Sequence, residues 1–198
     1  MRTLRPLLLL PVLAPFVAGS AVTAQATTVA AATPAAAEAQ AAFTRVELRP
    51  PQGGKALPYT IEIPTGWQVR QAEGIPGLWL GPADATPPSD PRLVWVRGSR
   101  VSMAKPDEVA ATIRANDAKA ADWAAPRLEV REVGGLRGIL VRMDSGEGGE
   151  ARSSLTLKLP FTGQAIDFVA SAPRAEFERR LPLYERILLS VRFVGAAP

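Results

Sequence analysis

The chain predicts an α+β domain built around antiparallel strands, and three observations carry that expectation. Leu155, Leu157 and Leu159 share one side of a segment whose other side is Ser154, Thr156 and Lys158, the period of a half-buried strand. Ile166, Phe168 and Ala170 continue the pattern after a turn at Phe161-Thr162-Gly163-Gln164. Ser154–Leu159 and Ala165–Ala170 therefore read as a hairpin. Phe177, Leu181, Tyr184 and Leu188 then recur at helical spacing in a charged region from Pro173 to Ser190.

Taken from the N-terminus, the chain opens with an export signal. Arg2 and Arg5 precede a short apolar run from Leu7 to Val17, and small residues offer a cleavage site after Ala24, or alternatively after Ala21. Pro11 and Pro15 interrupt the run, which falls short of the ~20 residues of a spanning helix. With no cysteine there is no thiol to carry a lipid anchor. Residues 1–24 are thus expected to be a signal peptide. Residues 25–42, with alanine at ten of eighteen positions, have too little apolar bulk to fix a structure and read as a flexible linker. A single domain is expected over residues 43–194, with 195–198 a tail. About 150 residues suit one domain with a real core.

Within the domain, Val46 and Leu48 alternate with Arg45, Glu47 and Arg49, a strand stopped by Pro50-Pro51-Gln52-Gly53-Gly54. Tyr59, Ile61 and Ile63 form the next strand, Pro64-Thr65-Gly66 turns it, and Trp67 and Val69 resume. Leu78–Leu80 and Leu93–Val96 are two further apolar runs. The segment Pro82–Pro91 between them contains four prolines, which cannot donate to a sheet, and is expected to be an exposed excursion. Pro106 suits a first helical position, with Asp107 and Glu108 placed well against the helix dipole. That helix is predicted to reach Asp122, with Val109, Ile113, Asn116 and Ala120 on one stripe and Trp123 at its edge. Leu128 and Val130 open a strand, Gly134-Gly135 turns it, and Leu136–Met143 pairs back before a glycine-rich loop at Asp144–Glu150. In the closing helix Glu176 and Arg180 are placed to pair across one turn. Pro182 predicts a kink or two short consecutive helices, and Ser190–Phe193 a last strand.

Composition excludes several chemistries. The chain has no histidine and no cysteine, so imidazole ligands, thiolates, disulfides and His-dependent triads are absent. Removing Arg2 and Arg5 from the 23 basic residues leaves 21 against 19 acidic ones, a net charge of +2. The arginines are scattered, without the basic stripe or aromatic cluster of a nucleic-acid surface.

Four motifs invite sharper readings. Ser102-Met-Ala-Lys105 matches the S-x-x-K of penicillin-recognising serine enzymes, but Pro106 pushes Lys105 out of helical geometry and the S-D-N and K-T-G partners are missing. Asp144-Ser-Gly-Glu-Gly-Gly-Glu150 lacks the regular ligand positions of a calcium loop and reads as a solvated hairpin loop. Gly135-Leu-Arg-Gly138 mimics an RNA-gripping loop but is flanked by strand patterns, so it reads as a turn. Trp67, Trp79, Trp95 and Trp123 each sit in an apolar pattern and are assigned to core packing, with a ligand groove as the alternative.

Tyr59-Thr-Ile-Glu-Ile-Pro-Thr-Gly-Trp67, Gly135-Leu-Arg-Gly138 between strands, and Ala172-Pro-Arg-Ala-Glu-Phe177 leading to Ile187-Leu-Leu-Ser-Val-Arg-Phe193 together resemble the PsbP-like superfamily. That group includes an extrinsic subunit of the photosynthetic oxygen-evolving complex, a Ran-binding nuclear import factor and small exported bacterial proteins. The resemblance covers residues 43–194. It implies an α/β/α sandwich, an antiparallel sheet packed between helices, and a non-catalytic domain that binds other macromolecules. Metal-linked members use side chains with no counterpart here, so no functional residue is carried over.

The expectation is an exported binding or accessory domain, not an enzyme, without cofactor, metal or catalytic residues. It would recognise a protein or cell-envelope component, not nucleic acid, through a sheet face or the Pro82–Pro91 loop, and the binding residues are open. Its location would be extracytoplasmic: periplasmic, cell-surface or secreted, with no membrane span in the mature form. The alternative is a hydrolase using paired carboxylates, for instance on glycans, since that chemistry needs neither histidine nor cysteine.

Overall fold

The computed structural model describes residues 41–49, 58–71, 74, 77–99, 101, 103, 105–117, 126–161 and 164–194, all within the unit Ala32–Pro198. The expected signal peptide, most of the linker and the 195–198 tail lie outside the described residues. Among the described residues ten strands and two α-helices follow in the order β1 (Phe43–Leu48), β2 (Tyr59–Pro64), β3 (Trp67–Arg70), β4 (Leu78–Pro82), β5 (Val94–Ser99), α1 (Pro106–Asp117), β6 (Arg127–Val133), β7 (Leu136–Ser145), β8 (Arg152–Phe161), β9 (Gln164–Pro173), α2 (Arg174–Leu189) and β10 (Arg192–Phe193). A short 3₁₀ turn at Gly148–Glu150 joins β7 to β8.

Strands β3 to β9 form one antiparallel sheet in the order β3-β4-β5-β9-β8-β7-β6, and β1-β2-β10 form a second. The predicted hairpin lies near the centre of the larger sheet, with Leu155 opposite Ala170, Leu157 opposite Phe168 and Leu159 opposite Ile166. Its strands run longer than alternation alone suggested. Arg152 pairs with Pro173, so the strand includes the proline expected to start the helix. Pro173 sits at the end of β9 and caps α2, where its missing N–H breaks no ladder.

Period-two alternation divides the larger sheet into two chemically different faces. On the inner face Leu140, Leu155, Leu157, Leu159, Phe168 and Ala170 join Phe177, Tyr184, Ile187 and Leu188 of α2 and Tyr59, Ile61 and Ile63 of the smaller sheet in one core. Each fully buried Leu, Ile or Phe there contributes roughly 1.5–3 kcal/mol. On the outer face Ile139 and Val141 of β7 meet Ala110 of α1, with Leu128, Val130 and Met143 around them. The two helices therefore cover opposite faces, giving the three-layer arrangement that the resemblance implied.

Two helical expectations change. The expected stripe on α1 included Asn116, yet that residue is exposed, while Ala110 is the fully buried position. The predicted continuation through Ala120 to Asp122 lies outside the described residues. Helix α2 is one helix through Pro182, not the two consecutive short helices that were one of the two expected outcomes. The hydrogen bond that Pro182 cannot make would have gone to the carbonyl of Glu178, and both residues face solvent, where water takes up the orphaned acceptor. Glu176 and Arg180 pair as expected, at 3.0 Å, with Arg180 only 5% exposed.

The turn between β6 and β7 is held to the end of the chain. Gly134 has φ of +62°, and a Cβ there would lie 2.5 Å from the Val191 carbonyl oxygen. Only glycine satisfies both the backbone angle and that approach. Gly138, the second glycine of the G-x-x-G sequence, lies in β7, where a Cβ would stand 2.6 Å from the Lys158 carbonyl oxygen. The motif is a hairpin turn followed by a close strand contact.

Candidate functional site

The loop from Pro82 to Leu93 is fastened at three points. Arg70 of β3 donates to the carbonyls of Pro82 and Ala83, both at 3.2 Å, and of Ala85 at 2.8 Å. Arg92 donates from Nε and Nη2 to Asp90 at 3.1 and 2.8 Å, and from Nη1 to the Asp84 carboxylate at 2.9 Å. The Tyr184 hydroxyl of α2 donates to the Pro91 carbonyl. Ala85 is 3% exposed. The Pro82–Pro91 segment is the exposed excursion that was expected, with Ala85 its one buried residue, but it is fastened to the body of the domain. Proline removes a donor but keeps its carbonyl, and here the carbonyls of Pro82 and Pro91 are the acceptors by which side chains hold the loop down.

Arg92 sets the electrostatics of the loop. Its hydrogen bonds hold the carboxyls of Asp84 and Asp90 below the ordinary aspartate range, and the two carboxylates raise the Arg92 guanidinium in return. Both aspartates are therefore committed as anions to one cation.

Between this loop and the outer sheet face lies a groove of about 320 Å³. Its floor is aromatic: Trp79 of β4 stands directly opposite Trp95 of β5, their rings stacked with centroids 5.1 Å apart and planes 6° from parallel. Leu93 and Pro88 come from the loop, with Asp90 beside them, and β9 supplies Val169 and Ser171. Arg152 of β8 closes the end. These residues converge because 79, 95, 169, 171 and 152 occupy outer-face positions of four adjacent strands. The Trp79 indole N–H is buried without a hydrogen-bond partner.

Farther along the same face, Lys158 reaches Asp167 Oδ2 at 2.8 Å and Arg97 Nε lies 3.9 Å from it. Asp167 is 1% exposed, and its Oδ1 has no partner. Arg97 also covers the Trp95 ring at 4.4 Å. A carboxylate taken out of water at this depth requires such cations beside it.

The residues singled out in the sequence are dispersed. Trp79 packs in a small core cluster with Ala85 and Leu93, with Trp95 against it, as core packing required, and the pair also lines the groove. Trp67 packs against the inner core. Trp123 and Ser102 lie outside the described residues, and Lys105 is exposed and pairs with Glu108 at 2.6 Å. Asp144 belongs to β7, not to a loop, and accepts a hydrogen bond from Ser153. Glu147 and Glu150 are exposed. The groove itself was missed because Arg152, Val169 and Ser171 carry no motif. The signal available was their shared parity on neighbouring strands.

A seven-stranded antiparallel sheet covered by one helix on each face, with a groove under a pinned loop, defines an α/β/α sandwich. The chain is similar to the crystal structure of LpqN, a protein involved in cell envelope biogenesis of Mycobacterium tuberculosis, with a TM-score of 0.52 and 12% identity over 83% of this chain and 98% of that one. It is also similar to the solution structure of the cyanobacterial PsbP protein CyanoP from Synechocystis, with a TM-score of 0.49 and 17% identity over 78% and 94% of the two chains. No protein-family profile matches the chain, and no curated protein matches its sequence. Among the described residues no helix is long and apolar enough to cross a membrane.

Proposed function

We propose that this chain is an exported, non-catalytic binding domain that serves as an accessory to a protein or other component of the cell envelope, holding that partner in the groove beneath the Pro82–Leu93 loop. The observation that carries the reading is the groove: a preformed hollow with an apolar floor and a few polar groups at its rim, the composition of a binding site. The leader and linker read from the sequence are consistent with export and with a tethered domain. The envelope role named for LpqN points to the same setting. The hydrolase alternative requires a carboxylic acid that keeps its proton near neutrality. Asp84 and Asp90, the carboxylates at this loop, are held as anions by Arg92.

The test is photocrosslinking in the native envelope, with a photoreactive residue in place of exposed Pro88 and, as a control, in place of exposed Glu185 on α2. The expected outcome is one partner captured from position 88 and absent from position 185, with capture abolished when Val169→Arg fills the groove. Equal capture from both positions, or capture indifferent to Val169→Arg, sinks the reading.

A further inference from the structure

The polar groups of the groove are not balanced. Its one carboxylate is used: Asp90 takes the Arg92 backbone N–H at 2.8 Å and Nε at 3.1 Å on one oxygen, and Nη2 at 2.8 Å on the other. Its donors are free. The Trp79 indole N–H has no partner although Trp79 is 96% buried, and the exposed Arg152 guanidinium has no ion-pair or hydrogen-bond partner among the described residues. The same groove is lined by Leu93, Val169 and Pro88. An occupant complementary to this lining presents an apolar side chain and an anion that accepts hydrogen bonds.

Resting on the reading of the groove as the binding site, we propose that it captures the free C-terminus of a partner polypeptide, the terminal carboxylate meeting Arg152 and the last apolar side chain lying against Leu93 and Val169 above the buried Trp79 ring. About 320 Å³ is at the small end of ligand sites and accommodates one terminal residue, where a long acyl chain demands a deeper channel. Terminal carboxylates are a recurrent handle for peptide recognition because charge and position coincide at the chain end.

The probes are N-acetylated tripeptides ending in Ala, Leu or Phe, each as free acid and as C-terminal amide, titrated into the protein while the Trp79 indole N–H is followed by NMR. Decanoate serves as the acyl carboxylate. The free acids ending in Leu or Phe should bind and perturb the indole proton resonance, and amidation or Arg152→Gln should weaken binding by about tenfold or more, the loss of one charge-assisted hydrogen bond. Arg152→Lys should retain part of the affinity. Arg152 is exposed on the end of β8, so its replacement leaves the fold intact, which the unchanged indole spectrum of the free protein verifies. Equal binding of acids and amides that is still lost on Val169→Arg overturns the carboxylate proposal while leaving the groove as the site. Decanoate binding tighter than every peptide assigns the anion site to acyl chains and overturns the peptide proposal. Absence of binding by all probes overturns it as well.

Discussion

At the scale of single residues, buried polar atoms are the most informative feature of this structure. Tyr59 is fully buried, edge-on to Phe168 with centroids 5.4 Å apart, and its hydroxyl has no partner among the described residues. Burial pushes its phenol well above the ordinary range, which leaves a neutral but unsatisfied group. Losing a buried tyrosine hydroxyl ordinarily costs stability. Here Tyr59→Phe should be neutral or stabilising by up to about 1 kcal/mol, as measured by urea unfolding, and a loss of that size would show that the hydroxyl has a partner. Asp90 is the opposite case. Its folded pKa lies below the ordinary 3.8, so its stabilising effect is complete above that value and fades as pH falls through the folded pKa. The stability difference between the wild type and Asp90→Asn should be constant from neutral pH to about pH 5 and shrink below pH 3.8. Unfolding curves taken across that range decide it.

At the scale of elements, two prolines with the same covalent constraint have different consequences. Pro173 stands where a strand ends and a helix starts, and it breaks nothing. Pro182 sits inside α2 with its orphaned acceptor in water. Removing it should help: Pro182→Ala is expected to raise stability by about 1–3 kcal/mol, since proline costs up to ~3 kcal/mol in a helix interior. Thermal unfolding reads the result, and a fall in Tm would mean that α2 is shaped around the proline. Alternation and helical spacing announced nearly every element, because they record one buried side per strand or helix and require no knowledge of partners. Leu155, Leu157 and Leu159 are the clearest instance. Lengths were less legible. Arg152 and Pro173 belong to strands because they pair with each other across the sheet, information that neither segment contains locally.

For the whole molecule, the same distinction separates the fold from the site. The inner core is written in leucines and aromatics, but the groove is written in which outer-face positions become neighbours, and that depends on strand order. Trp79 and Trp95 were legible as apolar residues. That they would stack on each other required β4 and β5 to be adjacent, and placing Val169 beside them required β9 to insert next to β5. The fastening of the proline loop was illegible for a related reason. Arg70, Arg92 and Tyr184 come from β3, the foot of β5 and α2, and only the assembled molecule brings them to the same carbonyls and carboxylates.

The insertion of β9 beside β5 also governs when this protein becomes a folded object. Val94 is paired with Ala170, and Tyr59 with Phe193, so both sheets join an early segment to a late one. While the chain is still being synthesised, β2 and β5 each lack a neighbour that has not yet been made. Closing such distant pairs is entropically slow and rewards the chain only when the last strands arrive. Neither sheet can therefore close before β9 and β10 have been made, whereas the sequential hairpins β1–β2, β3–β4–β5 and β6–β7–β8 are free to pair as they emerge.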